Sequence, residues 1–370
     1  MTRLILHIGS QKTGTTSLQQ FLQLNRKILN KNGMDYPHFS QGGCTNGLPW
    51  VRHLNGVDVN SSDFRELKES IEKYDTVILS AEQLWSEGRI YDPRPEEWKN
   101  VPYFEQCKQF FSQLGIDVFD IVVYLRRQDQ YISSSWKQWV KVGFLTCMKE
   151  DVFEIPFYKM TCDYNQRIEG LEKIFGKDNI HIRLYGQEAF VGGNIYKDFC
   201  SCIGLSWDDE FELLGGYANR SLTFDVTEAI RRLVLQYGCQ ERFLIDVIFP
   251  TAFRYSKKHP DPKGMSLYTF QEQVDILDKY HMGNQRIAKD YFDRDQLFSK
   301  PTENGETWEA NEETVQLVLK LFKIQYYANK MPSKKLNEFL AEEILTYIEW
   351  GKIPWKVILK KHLKSLMKKK

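Results

Sequence analysis

The sequence predicts an α/β fold, a central parallel sheet flanked by helices, with a helical extension at its C-terminal end. Three observations carry this. Short apolar runs alternate with segments of helical spacing through the first half of the chain. The first run empties into a loop of small residues that opens directly into a helix. From residue 222 onward helical periodicity dominates, with no internal repeat and no low-complexity region. Strand, helix, strand, helix in that order argues for parallel strands with ligands at their carboxyl ends.

Taken in order, residues 4–8 form an apolar strand, residues 9–16 a loop, and Leu18, Phe21 and Leu22 mark one face of the first helix. Asn32-Gly33 ends that helical stretch, and residues 34–37 form a short second strand before a Gly- and Asn-rich loop over 38–56. Helical spacing over 63–74 leads to a buried strand at 76–81, which ends in Glu82. A helix over 102–114, a strand over 118–125 and a helix over 129–142 follow. Further on come a helix at 163–175 closed by Gly176, a strand at 180–185, and a helix through Phe199 to Ile203. The C-terminal half reads as helices at 223–237, 265–280, 284–292, 311–328 and 333–349.

The loop after the first strand is built to hold a phosphate-like anion. Backbone N–H groups converge there with the positive end of the new helix. Gly9 and Gly14 permit backbone angles that a side chain would forbid, Thr13, Thr15, Thr16 and Ser17 add hydroxyls, and Lys12 adds positive charge. A Walker A loop has Gly, four residues, Gly, then Lys and Ser or Thr. Gly9 and Gly14 keep that glycine spacing, but Thr15 stands where the lysine belongs and Lys12 precedes the second glycine. No downstream strand ends in the Asp that would hold magnesium: 76–81 ends in Glu82, and 117–125 in Arg126 and Arg127.

The segment Gln11-Lys12-Thr13-Gly14-Thr15-Thr16-Ser17 resembles the 5′-phosphosulfate loop of sulfotransferases that use 3′-phosphoadenosine-5′-phosphosulfate (PAPS). In that family an arginine at the end of a later strand and a serine eight residues on hold the donor's 3′-phosphate. The strand ending at Leu125 runs directly into Arg126, and Ser134 stands at that spacing. Arg127 replaces the acidic residue common next in the family, which leaves open which arginine touches phosphate. Looser likenesses to bacterial sulfotransferases at Gly192-Gly193, at Asn219-Arg220-Ser221-Leu222 and at 291–298 extend the resemblance over roughly residues 1–300. It implies a P-loop-like three-layer sulfotransferase domain over 1–300, with 301–370 a helical extension bearing a basic tail. It also implies PAPS as donor, 3′-phosphoadenosine-5′-phosphate (PAP) as product, no metal, and a late loop closing on the nucleotide, for which 219–221 is the candidate.

With 370 residues, 42% hydrophobic and 27% charged, the chain has ample material for one large core. A net charge of +1 gives no global case for nucleic acid. The seven cysteines are scattered and without metal or redox spacing, so reduced thiols are expected. The chain enters its first strand at once, leaving no room for a secretion signal, and no apolar run reaches membrane-spanning length, so a cytoplasmic enzyme of bacterial type is expected. Lys356, Lys360, Lys364 and Lys368 form one stripe of a basic amphipathic tail, which either docks with a solvated lysine face or lies on an anionic membrane.

Sulfuryl transfer, like phosphoryl transfer, requires neutralisation of charge on the leaving phosphate and removal of the acceptor's proton. Lys12 suits the first task. For the base the sequence offers His53, which titrates near neutrality unaided, and Glu82, whose place at the end of a buried strand raises its pKa; His38 is a third candidate. Trp50, Trp85, Trp136 and Trp139 lie near the expected cleft, where aromatic faces stack on sugars, although core packing explains most tryptophans. Lys137 and Lys141 either meet an acidic glycan or form a solvated face. A carbohydrate acceptor, such as a bacterial surface polysaccharide, is expected. The alternatives are a P-loop kinase or NTPase and a non-catalytic nucleotide-binding scaffold.

Overall fold

The structure is a computed structural model and describes residues 2–38, 64–85, 101–213 and 221–330. His53, Trp50, residues 219–220 and the basic tail lie outside the described residues.

Among the described residues five strands, β1 (Thr2–His7), β2 (Met34–Asp35), β3 (Thr76–Ser80), β4 (Ile116–Leu125) and β5 (Ile180–Leu184), form one sheet in the order β2-β3-β1-β4-β5. Every pairing is parallel. Parallel strands buried on both faces read as continuous apolar runs, and the expected α/β fold follows from that pattern. In β1, Leu4 and Leu6 pack on one side of the sheet while Ile5 packs on the other.

The first side is covered by α3 (Arg65–Lys73), α4 (Val101–Gln113) and α7 (Tyr164–Phe175), through Leu67, Phe111 and Leu171 among others. The second side is covered by α1 (Thr15–Leu24), α2 (Arg26–Lys31) and α8 (Ile195–Ile203), through Leu18, Leu29 and Phe199. Helices, sheet and helices make the three layers.

Between α4 and α7 the chain also forms α5 (Gln128–Lys141) and α6 (Pro156–Cys162). α5 follows β4 and buries Ile132, Trp136 and Val140 against Phe157 and Tyr158 of α6. The C-terminal part adds α9 (Phe224–Tyr237), α10 (Phe249–Lys258), α11 (Phe270–Lys279), α12 (His281–Phe292) and α13 (Glu312–Lys330). α9, α10 and α13 share a core of their own, in which Ile230, Leu233, Ala252, Val318 and Phe322 meet.

Several expected elements shift. The helix expected at 265–280 starts only at Phe270, where Thr269 and Glu272 form a capping box, because Ser266 pairs instead with Thr307 as an isolated bridge. The helices at 156–162 and 249–258 were not expected from the sequence; the second is entered through a π-helical segment, Leu244–Ile248. No helix among the described residues is long and apolar enough to cross a membrane.

Candidate functional site

Register brings the two anion motifs together. β1 and β4 are neighbours, and His7, the last residue of β1, pairs with Val122. β4 therefore runs on to Leu125 beyond the end of β1. The loop after β1 folds back along this overhang: Ile8 N donates to Val122 O at 3.0 Å, and Ser10 Oγ donates to Tyr124 O at 2.9 Å. At the tip Arg126 Nη1 donates to Lys12 O at 3.1 Å. Loop and arginine form one structure.

Within the loop Lys12 has φ 68°, a left-handed conformation unusual outside glycine that persists where surroundings enforce it. Gly14, also left-handed, sits at the N-cap of α1 and has no side chain with which to cap the helix. Gly9 is crowded: a Cβ there would meet Thr15 Cγ2 at 2.5 Å and Nε2 of the buried His7 at 3.2 Å. Gly9→Ala is therefore expected to cost about 2–4 kcal/mol, from left-handed strain plus overpacking, read as a lower urea midpoint. An unchanged midpoint would show that the loop relaxes freely.

Two adjoining cavities flank the loop. The first, about 350 Å³, is lined by Gln11, Lys12, Gly14, Thr15, Thr16, Glu82, Ser135, Gln138 and Trp139. The second, about 280 Å³, is lined by Lys12, Gly14, Arg126, Ser134, Lys137, Gln138, Lys141, Tyr185, Ser221 and Leu222. Lys12, Gly14 and Gln138 belong to both. Among the described residues, four cationic side chains and no carboxylate line the second cavity.

Arg126 lines the second cavity, with its Nε buried and without a partner among the described residues and its guanidinium 5.3 Å over the Tyr185 ring. Arg127 is engaged elsewhere. It grips Asp129 with Nε at 2.7 Å and Nη2 at 2.9 Å, and donates to Gln273 at 3.0 Å. Of the two arginines, Arg126 is the one on both the loop and the cavity.

The predicted loop residues divide by role. Thr13 donates its hydroxyl to Ser10 O, and Thr15 donates to the Glu82 carboxylate. Thr16 lines the first cavity, and Ser17 lines neither. Lys12 Nζ rests 3.5 Å from Gln138 Oε1. Burial and the neighbouring Lys141 bring its pKa down to about 8, with Glu82 opposing. Burial raises the Glu82 pKa, against the Thr15 hydroxyl and the Lys12 charge.

Among the other base candidates, His53 lies outside the described residues. His38 is exposed, 3.2 Å from Gln23 Nε2, and lines neither cavity. Trp85 and Trp136 are fully buried core residues, and only Trp139 of the described tryptophans reaches the site.

The sequence reading left Gln138 and Tyr185 out of the site. Gln138 could have been found from α5, where Ser134, Lys137, Gln138 and Lys141 share one face at helical spacing. Lys137 is no solvated residue: its ammonium lies 3.1 Å from Asp261 and 3.5 Å above the Phe224 ring.

No family model matches the sequence. An uncharacterised protein from Archaeoglobus fulgidus is 25% identical over 242 residues, which is 64% of this chain and 63% of that protein. The match thus spans less than two thirds of the relative's length. A crystal structure of a sulfotransferase from Alicyclobacillus acidocaldarius aligns with 58% of this chain and 87% of its own, at 13% identity and a TM-score of 0.35. At that overlap the likeness is no argument for shared fold or activity.

Proposed function

We propose that this chain is a sulfotransferase that takes PAPS as donor and a carbohydrate as acceptor. One observation carries the proposal: the glycine loop and Arg126 border adjoining cavities that share Lys12, and among the described residues the cavity that Lys12 shares with Arg126 and Ser134 is lined by cations and no carboxylate. A ligand with anionic groups at two separated points fits this, as an adenosine bisphosphate does. The loop amides and Lys12 would hold the 5′ end, and Arg126 with Ser134 the 3′-phosphate.

PAPS supplies the activated sulfuryl group. Lys12 neutralises the charge that grows on the 5′-phosphate as its bond to sulfur breaks. Glu82, across the first cavity, accepts the acceptor hydroxyl's proton as the new S–O bond forms. Trp139 offers a face for a sugar ring, and Gln11 and Gln138 offer polar contacts at its edge.

The test is nucleotide binding. PAP is expected to raise the melting temperature well above the effect of AMP or of ATP with magnesium. Preferential stabilisation by magnesium-ATP would favour a kinase or NTPase instead. Tight PAP binding with no transfer to any saccharide panel would favour a scaffold.

The pKa shifts also set a pH profile. Glu82 must be deprotonated, so kcat/KM rises through a pKa above the ordinary carboxylate range. Lys12 must be charged, so kcat/KM falls as the pH passes about 8. Bound donor favours the ammonium, so the falling limb of kcat is expected at higher pH than that of kcat/KM. A falling limb that Lys12→Arg leaves in place would assign it to another group.

A further inference from the structure

The cation that the proposed chemistry leaves unused is Lys141. It stands two turns beyond Ser134 on the same face of α5, roughly 10 Å of helix rise. It lines the cavity of Lys12, Arg126 and Ser134 and not the cavity of Glu82. Lys137 is neutralised by Asp261, whereas Lys141 forms no hydrogen bond or ion pair among the described residues. Its ammonium is instead 5.4 Å from the centre of the Phe249 ring and 5.8 Å from that of Phe253. Both rings belong to α10, directly after the π-helical segment, a distortion often found at functional sites.

A half-buried ammonium with only ring faces for partners among the described residues, in a cavity that it shares with other cations, is unfavourable until an anion arrives. Lys12 registers this neighbour, since Lys141 is the charge that most depresses its pKa. Lys12 and Lys141 line the same cavity, and Lys12 also borders the cavity of Glu82.

Resting on the function proposed above, we infer that Lys141, seated on Phe249 and Phe253, is an anion subsite for the sulfuryl end of the donor. It would distinguish the sulfated nucleotide from its desulfated product. After transfer the subsite loses its anion while the two phosphate grips remain, so Lys141 favours donor over product.

The experiment is calorimetric titration of wild type and Lys141→Met with PAPS and with PAP, in the absence of acceptor. Lys141→Met is expected to weaken PAPS binding about tenfold while PAP binding changes less than about twofold. Lys141→Arg should recover most of the difference. Phe253→Leu, which keeps the charge but removes one ring, should give a smaller loss of the same selectivity. Equal weakening of both nucleotides, or of neither, would overturn the subsite and leave Lys141 as a clip between α5 and α10. If wild type bound neither nucleotide, the sulfotransferase proposal itself would fall, and the subsite with it.

Discussion

Lys12→Met is expected to lower turnover by about 10²–10³, with little change in melting temperature. Methionine keeps the aliphatic stem and removes only the ammonium, which touches Gln138 and lines both cavities. A group that acts mainly as charge develops on the leaving phosphate shows its loss in kcat more than in PAP affinity. Lys12→Gly adds a control, because glycine adopts the φ of 68° found here without strain. The glycine variant should be as inactive as methionine yet no less stable than wild type. Single-turnover rates with saturating donor separate these effects, and turnover within tenfold of wild type in both variants would remove Lys12 from the chemistry.

The second large effect is on stability. Asp198→Ala is expected to cost about 3–5 kcal/mol, the range for breaking a buried charged network by removing one member. Asp198 is 1% exposed. Its carboxylate accepts from Tyr124 Oη at 2.7 Å, from Arg183 Nε at 3.0 Å and from the Val191 amide at 3.1 Å. Alanine would strand the buried Tyr124 hydroxyl and leave Arg183 without its counter-ion. The cost should reach the site, because Tyr124 O is the acceptor that holds Ser10. Denaturant unfolding measures the first effect and PAP titration of the folded variant the second. Asp198→Asn, which can still accept two of these bonds, should lose less; equal losses in both variants would show that shape, not charge, matters there.

Much of this was legible in the sequence because it is local. The strand, loop and helix around Gly9 and Gly14 are consecutive, and the Arg126 to Ser134 spacing lies within one strand-to-helix junction. The relation of Lys137 and Lys141 to solvent was not legible. A lysine stripe looks the same whether it faces water or a cavity, and what covers this one is Phe224, Phe249, Phe253 and Asp261, far along the chain. The stretch leading to α10 escaped because its π-helical register and Pro250 interrupt the ordinary period. Trp85 and Trp136 were near the cleft in sequence but point into the core, since position along a chain does not reveal the direction of a side chain.

The overhang of β4 past β1 has a consequence for how such a site can diversify. Because the loop is sutured to that projecting strand by main-chain bonds, the projection acts as a ruler that sets how far Arg126 stands from the loop amides. Lengthening or trimming the strand tip by a residue pair would retune the span of dianion that fits. The glycine loop itself could stay as it is, so ligand length and ligand grip are separately adjustable in this architecture.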